Sequence, residues 1–345
     1  MKVAMTLVVR DEADILDAHL AFHLNAGVDV VLAVDHGSTD GTSEILERHA
    51  REGHARVVRE EGRQQQQGEW VTRLARRAAV EERADWVLLS DADEFWWPRG
   101  GSLKEVLAAV PAEYGAVYAP SRTFLPRPDD GRFFAERMTV RLAGSAPIND
   151  PATPFRPVSK VVVRANPDLR VLPGNHAVEG VPPNPREAWH PIEIFHFPLR
   201  SSEQSAAKYE KTLTGWSFNP RGDLVRASRG SSGAGQLSVY ERVVVDDDAL
   251  ASGLAAGSLA EDVRLRDALR SLAGVPELPA RPARFSVPSD GAPRLLSPPP
   301  TTSEDVLYAI ELAVLREADT VRAQRAVDGI EERLRALETR AGRNE

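Results

Sequence analysis

The sequence predicts an α/β fold: a mostly parallel sheet flanked by helices, with a helical appendage at the C-terminal end. Three observations predict it. Short apolar runs of strand length (Lys2–Val9, Val30–Val34, Ala55–Val58, Trp86–Ser90) alternate with stretches whose apolar residues recur at helical spacing. The last of these runs is apolar almost throughout, as expected of a strand buried on both faces of a parallel sheet. With 345 residues, 42% hydrophobic and 27% charged, the chain can bury one large core and still carry an appendage.

Taken in order, Lys2–Val9 reads as the first strand. Asp11 is placed to cap a helix over Glu12–Asn25, where Ile15, Leu16, Leu20 and Leu24 share a face and Gly27 stops it. Val30–Val34 is the second strand and runs into a polar, glycine-rich loop, Asp35–Thr42. A helix over Ser43–Arg51, closed by Gly53, leads to the third strand, Ala55–Val58. Gln64–Gln67 reads as a solvated loop before a helix marked by Val71, Leu74, Ala75, Ala78 and Ala79. Beyond Gly100 the alternation weakens, and proline-rich loops separate short strands such as Lys160–Val163 and Ile192–Phe195. Residues 221–235 are rich in Gly, Ser and Arg and read as a mobile loop, with a helical pair over Ala249–Leu272 after it. Pro276–Pro300 holds eight prolines and reads as an extended spacer. The tail reads as one long helix, Thr302–Glu338, with Thr301 and Glu304 at capping-box spacing. Its imperfect apolar stripe admits a coiled-coil homodimer or a helix folded back on its own domain. The expected organisation is a catalytic domain over 1–220, a loop and helical extension over 221–275, a linker over 276–300 and the tail helix over 301–345.

Immediately after Trp86–Ser90 come three carboxylates within four residues, Asp91, Asp93 and Glu94, and then Phe95-Trp96-Trp97. Carboxylates at the C-terminal edge of such a strand lie where open α/β sheets bind ligands. Asp91 and Asp93, two apart in extended chain, can point to one side. That suits an oxygen-ligated Mg²⁺ or Mn²⁺ with positions left open for phosphate. Asp246-Asp247-Asp248 follow another apolar run, but the residues after them look helical, so those carboxylates read as caps.

Composition removes several function classes. The net charge of −8 argues against a nucleic-acid binder that relies on a basic field. No apolar run approaches the ~20 residues that span a bilayer, and the early charges in Met1–Asp11 do not fit a signal peptide. The absence of cysteine excludes disulfides, thiolate metal sites and cysteine nucleophiles. A cytoplasmic enzyme is the default expectation.

Four motifs in order carry a resemblance: Arg10-Asp11-Glu12; His23-x-x-Ala26-Gly27-Val28-Asp29; Asp35-His36-Gly37-Ser38-Thr39-Asp40-Gly41-Thr42; and Asp91-Ala92-Asp93-Glu94-Phe95. Together they resemble family 2 glycosyltransferases, nucleotide-sugar-dependent transferases of the GT-A, Rossmann-like fold with an Asp-x-Asp motif. The segment His196-Phe197-Pro198-Leu199-Arg200-Ser201-x-x-Gln204-x-x-x-Lys208 resembles one common in a branch of that family. Asp11 and His36 stand where asparagine is usual. The resemblance covers residues 1–215 and thins to about 272.

The resemblance implies that Arg10 and Glu12 lie near the nucleotide, that Asp35 accepts a hydrogen bond from the base, and that Asp91 contacts ribose or, indirectly, the metal. Asp93 would hold a manganese or magnesium ion directly. Plainer alternatives stay open: an Asx turn for Asp35–Asp40, and a surface ion pair for Arg10 with Glu12. His196 follows the apolar run Ile192–Phe195 and precedes two cations, which makes it a candidate metal or phosphate ligand. Arg200 and Lys208 suit the donor's diphosphate, with Lys160 a further phosphate candidate. His176 and His190 are unassigned. The family implies single displacement with inversion, so a carboxylate must take the acceptor's proton, and Glu179 is the candidate with Glu94 its rival.

The expected partners are a UDP-, GDP- or dTDP-sugar and a carbohydrate or other hydroxyl acceptor, with no nucleic acid. Two other functions compete. A sugar-phosphate nucleotidylyltransferase should show a glycine-rich basic loop after the first strand, and Arg10-Asp11-Glu12-Ala13 has no glycine. A non-catalytic nucleotide-sugar-binding scaffold would not need the intact acidic pair.

Overall fold

The computed structural model describes residues 1–61, 67–99, 101–143, 159–182, 190–211, 240–241, 243–279, 284–289 and 293–295. Its centre is an eight-stranded sheet in the order β3-β2-β1-β4-β8-β6-β11-β5. The strands are β1 (Val3–Val9), β2 (Val30–Asp35), β3 (Ala55–Arg59), β4 (Trp86–Ser90), β5 (Glu94–Pro98), β6 (Ala116–Thr123), β8 (Ser159–Arg164) and β11 (Ile192–His196). The first four run parallel, as the alternation predicts. The second half is mixed: β8 is antiparallel to both β4 and β6, while β11 is parallel to β6 and antiparallel to β5.

Strands β1, β2 and β4 are buried on both sides because they are apolar along almost their whole length. Along β1, Val3, Met5, Leu7 and Val9 face the α1 (Leu16–Ala26) side, and Ala4 and Val8 face α3 (Gln67–Val80). Trp70, Val71, Leu74, Ala75 and Ala78 of α3 cover the second face, the helical recurrence read from sequence. Between β2 and β3 runs α2 (Thr42–Arg51), ended as predicted at Gly53 with φ +86°. Gly27 closes α1 in the left-handed conformation, φ +118°, its N–H bonded to His23 O at 3.1 Å.

Two local expectations are revised. Helix α1 starts at Leu16 rather than Glu12, because Glu12 and Asp14 are turned toward Arg200. Asp11 does not cap it. At φ +52° its carboxylate accepts from Thr39 N at 2.6 Å and so ties the loop after β1 to the loop after β2. Phe95–Trp97, read only as aromatics trailing the carboxylates, form β5, which crosses to the far edge of the sheet.

The remaining described elements hold the second half down. They include α4 (Leu103–Ala108), the single turn α5 (Phe134–Arg137), β7 (Val140–Leu142) and the ribbon of β9 (Arg170–Val171) with β10 (Val178–Glu179). After α6 (Ser202–Lys211) come α7 (Asp247–Ala255), β12 (Leu259–Glu261) and α8 (Arg264–Ala273). Asp246 caps α7 through Ala249 N at 2.8 Å, so the second acidic run is a helix start. The described part of the expected proline-rich spacer packs on α1: Phe285 is buried, and Asn25 bonds Ser286 O at 2.8 Å and accepts Arg294 N at its carbonyl at 2.7 Å. The predicted tail helix, the capping box at Thr301 and the loop 221–235 lie outside the described residues. Among the described residues no helix is long and apolar enough to cross a membrane.

Helix α8 is fixed to the sheet by a buried charge cluster. Glu193 on β11 receives Arg99 (3.0 Å), Arg122 (3.1 Å) and Arg264 (2.6 Å). The Arg264 guanidinium also covers the Phe195 ring at 4.6 Å. Burial alone would raise the Glu193 carboxyl, but the three guanidinium groups outweigh it and hold it at about 2. That lies below its ordinary 4.5, so the stability it contributes is present above pH 4.5 and is lost as pH falls toward 2. Replacing Glu193 by Gln strands the arginines, and should lower unfolding free energy at pH 7 by ~3–5 kcal/mol and flatten the acid limb below pH 4.5. Urea unfolding at a series of pH values checks both.

Candidate active site

The site forms where the C-terminal ends of β1, β2 and β4 come level. Register pairs Val9 with Asp35 and Leu7 with Ser90, so Arg10, the Asp35 loop and Asp91 emerge on one edge. The turn Asp91–Asp93 then leads directly into β5.

That turn is held from beneath by buried histidines of α1. His19 Nε2 donates to Glu94 O at 3.0 Å and lies 3.3 Å from Ser90 Oγ. His23 Nε2 accepts Trp96 N at 3.1 Å, and Trp96 Nε1 donates to Ser90 Oγ at 3.0 Å. Burial pushes His19 down to about 4 and His23 well below its usual value, so both act as neutral hydrogen-bonding groups.

Two lysines serve the three carboxylates of the turn. Lys160, from β8, lies 2.5 Å from Asp91 Oδ2 and 3.2 Å from Glu94 Oε1. Asp91 Oδ1 also accepts Gln67 at 3.1 Å and Asn175 at 3.2 Å. Asp93 Oδ2 accepts Lys208 Nζ at 2.9 Å, and His196 Nε2 lies 3.7 Å from the same oxygen. Burial would raise the Asp93 carboxyl, but Lys208 and His196 outweigh it and hold it well below the usual range. Glu94 behaves oppositely: burial, only partly offset by Lys160, pushes it up to about 7.

Several sequence-predicted residues are placed in different surroundings from those expected. Lys160 is almost wholly buried as the internal countercharge of Asp91 and Glu94 rather than poised for phosphate. Arg200 is fully buried and clamps the start of the chain, reaching Asp14 at 2.6 Å and Glu12 at 2.5 Å. Glu12 therefore pairs with Arg200 rather than with Arg10. Lys208 projects from the second turn of α6. Glu179 lies on the β9–β10 ribbon, 55% exposed and paired with Arg170 at 2.9 Å. Of the two proposed bases, Glu94 is the one inside the carboxylate group. Asp35 is buried, accepts Ser38 N at 3.0 Å and the Ser43 hydroxyl, and so makes the Asx-type turn while sitting at the ligand edge.

The sequence reading missed Gln67, Asn175 and Asp14. Gln67 was grouped with a solvated polar run, yet it opens α3 over Asp91. Asn175 adopts φ +61°, a conformation asparagine tolerates, and its place beside Gly174 was the available signal. His176 and His190 each bond a backbone carbonyl, Ser159 O and Tyr118 O.

A cavity of about 440 Å³ opens beside this group, lined among others by Arg10, Glu12, Asp14, Ser201, Gln204 and Lys208. Among the described residues no three His, Cys, Asp or Glu side chains converge as a metal-ligand set. Asp93 Oδ2 and His196 Nε2 nevertheless face each other at a separation two ligands of one ion can bridge. A hard octahedral cation that takes its other ligands from phosphate and water fits such a pair.

Residues 10–150, which carry the turn and its loops, match the family described as Glycosyl transferase family 2. Over this stretch, less than half of the chain, the protein is similar to that family. No curated protein matches the chain. Among solved structures, residues 1–349 of S. aureus TarS with UDP-GlcNAc are 17% identical, with a TM-score of 0.26, over 38% of this chain and 36% of that one. Without ligand, the same fragment matches over 62% of this chain and 66% of that one at 12% identity and TM-score 0.31. Glucosyl-3-phosphoglycerate synthase from Mycobacterium tuberculosis, with Mg²⁺ and UDP, is 18% identical over 36% of this chain and 44% of that one, TM-score 0.23. The chain thus spans about a third of the first of these and less than half of the last.

The Arg200 clamp gives a test. Arg200→Met should cost ~3 kcal/mol of unfolding free energy without any ligand, because Glu12 and Asp14 lose their buried partner. A side chain kept only for phosphate would leave that stability unchanged, and denaturant unfolding decides.

Proposed function

We propose that the chain transfers a sugar from a nucleoside-diphosphate sugar to an acceptor hydroxyl by a single inverting displacement. The observation that carries this is the meeting of Asp93, His196 and Lys208 at the ligand edge, in a chain similar to family 2 over residues 10–150. Asp93 and His196 would hold Mn²⁺ or Mg²⁺, which when bound neutralises the diphosphate leaving group as a Lewis acid. Lys208 and Arg10 line the adjoining cavity and add positive charge toward phosphate. Asp35, oriented by Ser38 and Ser43, keeps lone pairs for a base N–H. Asp91 is held by Lys160, Gln67 and Asn175 on the ribose side. We assign Glu94 to take the acceptor's proton, since it belongs to the carboxylate group, whereas Glu179 is engaged at the surface.

Donor turnover with Mn²⁺ across UDP-, GDP- and dTDP-sugars tests the function. At least one should be cleaved to sugar and nucleoside diphosphate. Asp93→Asn should lose about 100-fold or more, and Asp248→Asn, on the α7 start, should stay within twofold. Release of pyrophosphate from a nucleoside triphosphate and a sugar phosphate would instead mark a nucleotidylyltransferase. Binding without cleavage of any donor would mark a scaffold.

A further inference from the structure

Two lysines serve the acidic turn, and the structure treats them differently. Lys160 is enclosed between two carboxylates, its side chain 5% exposed. Lys208 is 39% exposed, reaches Asp93 from the second turn of α6 and lines the open cavity at the mouth of β1. Its ammonium lies 2.9 Å from Oδ2 of Asp93, the oxygen that His196 approaches at 3.7 Å. The position a divalent ion would take between Asp93 and His196 is therefore bordered by a resident monovalent cation.

Both cannot be served at once. A divalent ion bonded to Oδ2 would sit within a few ångströms of the ammonium, and like charges that close in a partly buried site repel strongly. Lysine is a compact charge on a flexible four-carbon stem, so it can leave one anion for another nearby. Arg200 has no such freedom, since Asp14 and Glu12 hold it on two sides. The cavity that Lys208 lines is also where Arg10 adds positive charge, so a diphosphate placed there gives Lys208 a second anion within reach.

We propose that Lys208 is the resident countercation of Asp93 in the nucleotide-free protein, and that it exchanges this carboxylate for the donor's diphosphate as the divalent ion enters. The inference rests on the metal-dependent reading of the site. Its consequence is a binding order: the divalent ion alone binds weakly because it must displace Lys208 from Asp93. The ion and the nucleotide together bind tightly, because the diphosphate accepts the displaced ammonium.

The test is a Mn²⁺ titration of the full 345-residue chain, read by the electron paramagnetic resonance signal of free Mn²⁺. It is run without nucleotide and then with UDP, GDP and dTDP in turn. Lys208→Met should bind Mn²⁺ alone at least tenfold more tightly than the unaltered protein, while its affinity for the best nucleotide with Mn²⁺ falls about tenfold. Lys208→Arg keeps the charge and should bind Mn²⁺ alone as weakly as the unaltered protein. Apo melting temperatures show that the variants are folded. If Lys208→Met binds Mn²⁺ alone no better than the unaltered protein, or Lys208→Arg binds it tightly, the exchange is overturned while the metal site stands. If the unaltered protein binds no Mn²⁺ with any of the nucleotides, the metal-dependent reading itself fails, and the inference with it.

Discussion

Placing three carboxylates within four residues at the end of a buried strand is the constraint on which the rest of the structure depends. Without countercharges, like charges this close in a low-dielectric surrounding would protonate or unfold the turn. Lys160, His196 and Lys208 all come from beyond residue 159: Lys160 reaches Asp91 and Glu94, while His196 and Lys208 approach the same oxygen of Asp93. The topology follows from this need. Strand β8 inserts antiparallel beside β4 and carries Lys160 to Asp91 and Glu94. Strand β11 pairs residue by residue with β5, which sets His196 opposite Glu94 and beside Asp93. The charge balance of the site and the mixed half of the sheet are one arrangement.

The same logic explains how the later segments are bound to the core. Arg200 joins the start of α6 to Glu12 and Asp14, and Glu193 gathers arginines from the end of β5, from β6 and from α8. Asn25 then links the end of α1 to the described proline-rich residues. These contacts span nearly the whole described sequence, so the described residues through 295 support the ligand edge together. Rigidity there matters, because a catalytic carboxylate displaced by about an ångström loses most of its effect.

Legibility in the sequence divided along physical lines. The parallel half was readable because its signal is local: buried strands are continuous apolar runs, and α3 shows its face by spacing. The placement of Asp35, Asp91 and Asp93 at one edge of the sheet was readable because they follow such runs. Strand β5 was not, since a run of five residues that begins with a glutamate and ends with a proline has no strand signature until it meets β11. The partners of the carboxylates were recognisable as cations but not assignable, because which anion a lysine or arginine meets is decided by contacts more than sixty residues apart. Lys160 and Arg200 therefore proved internal, and Glu179 proved a surface pair.

The central claim is that Asp93 and His196 form the ligand pair at the sheet edge while Lys160 remains the fixed countercharge of Asp91. Anomalous diffraction from crystals grown with Mn²⁺ and a nucleoside diphosphate tests it most directly. The account predicts one strong manganese peak at bonding distance, about 2.1 Å, from an Asp93 oxygen and from His196 Nε2, with Lys160 still on Asp91. A peak on Asp91 with Lys160 displaced, or a peak at Asp246–Asp248 with Asp93 still bound to Lys208, would contradict it.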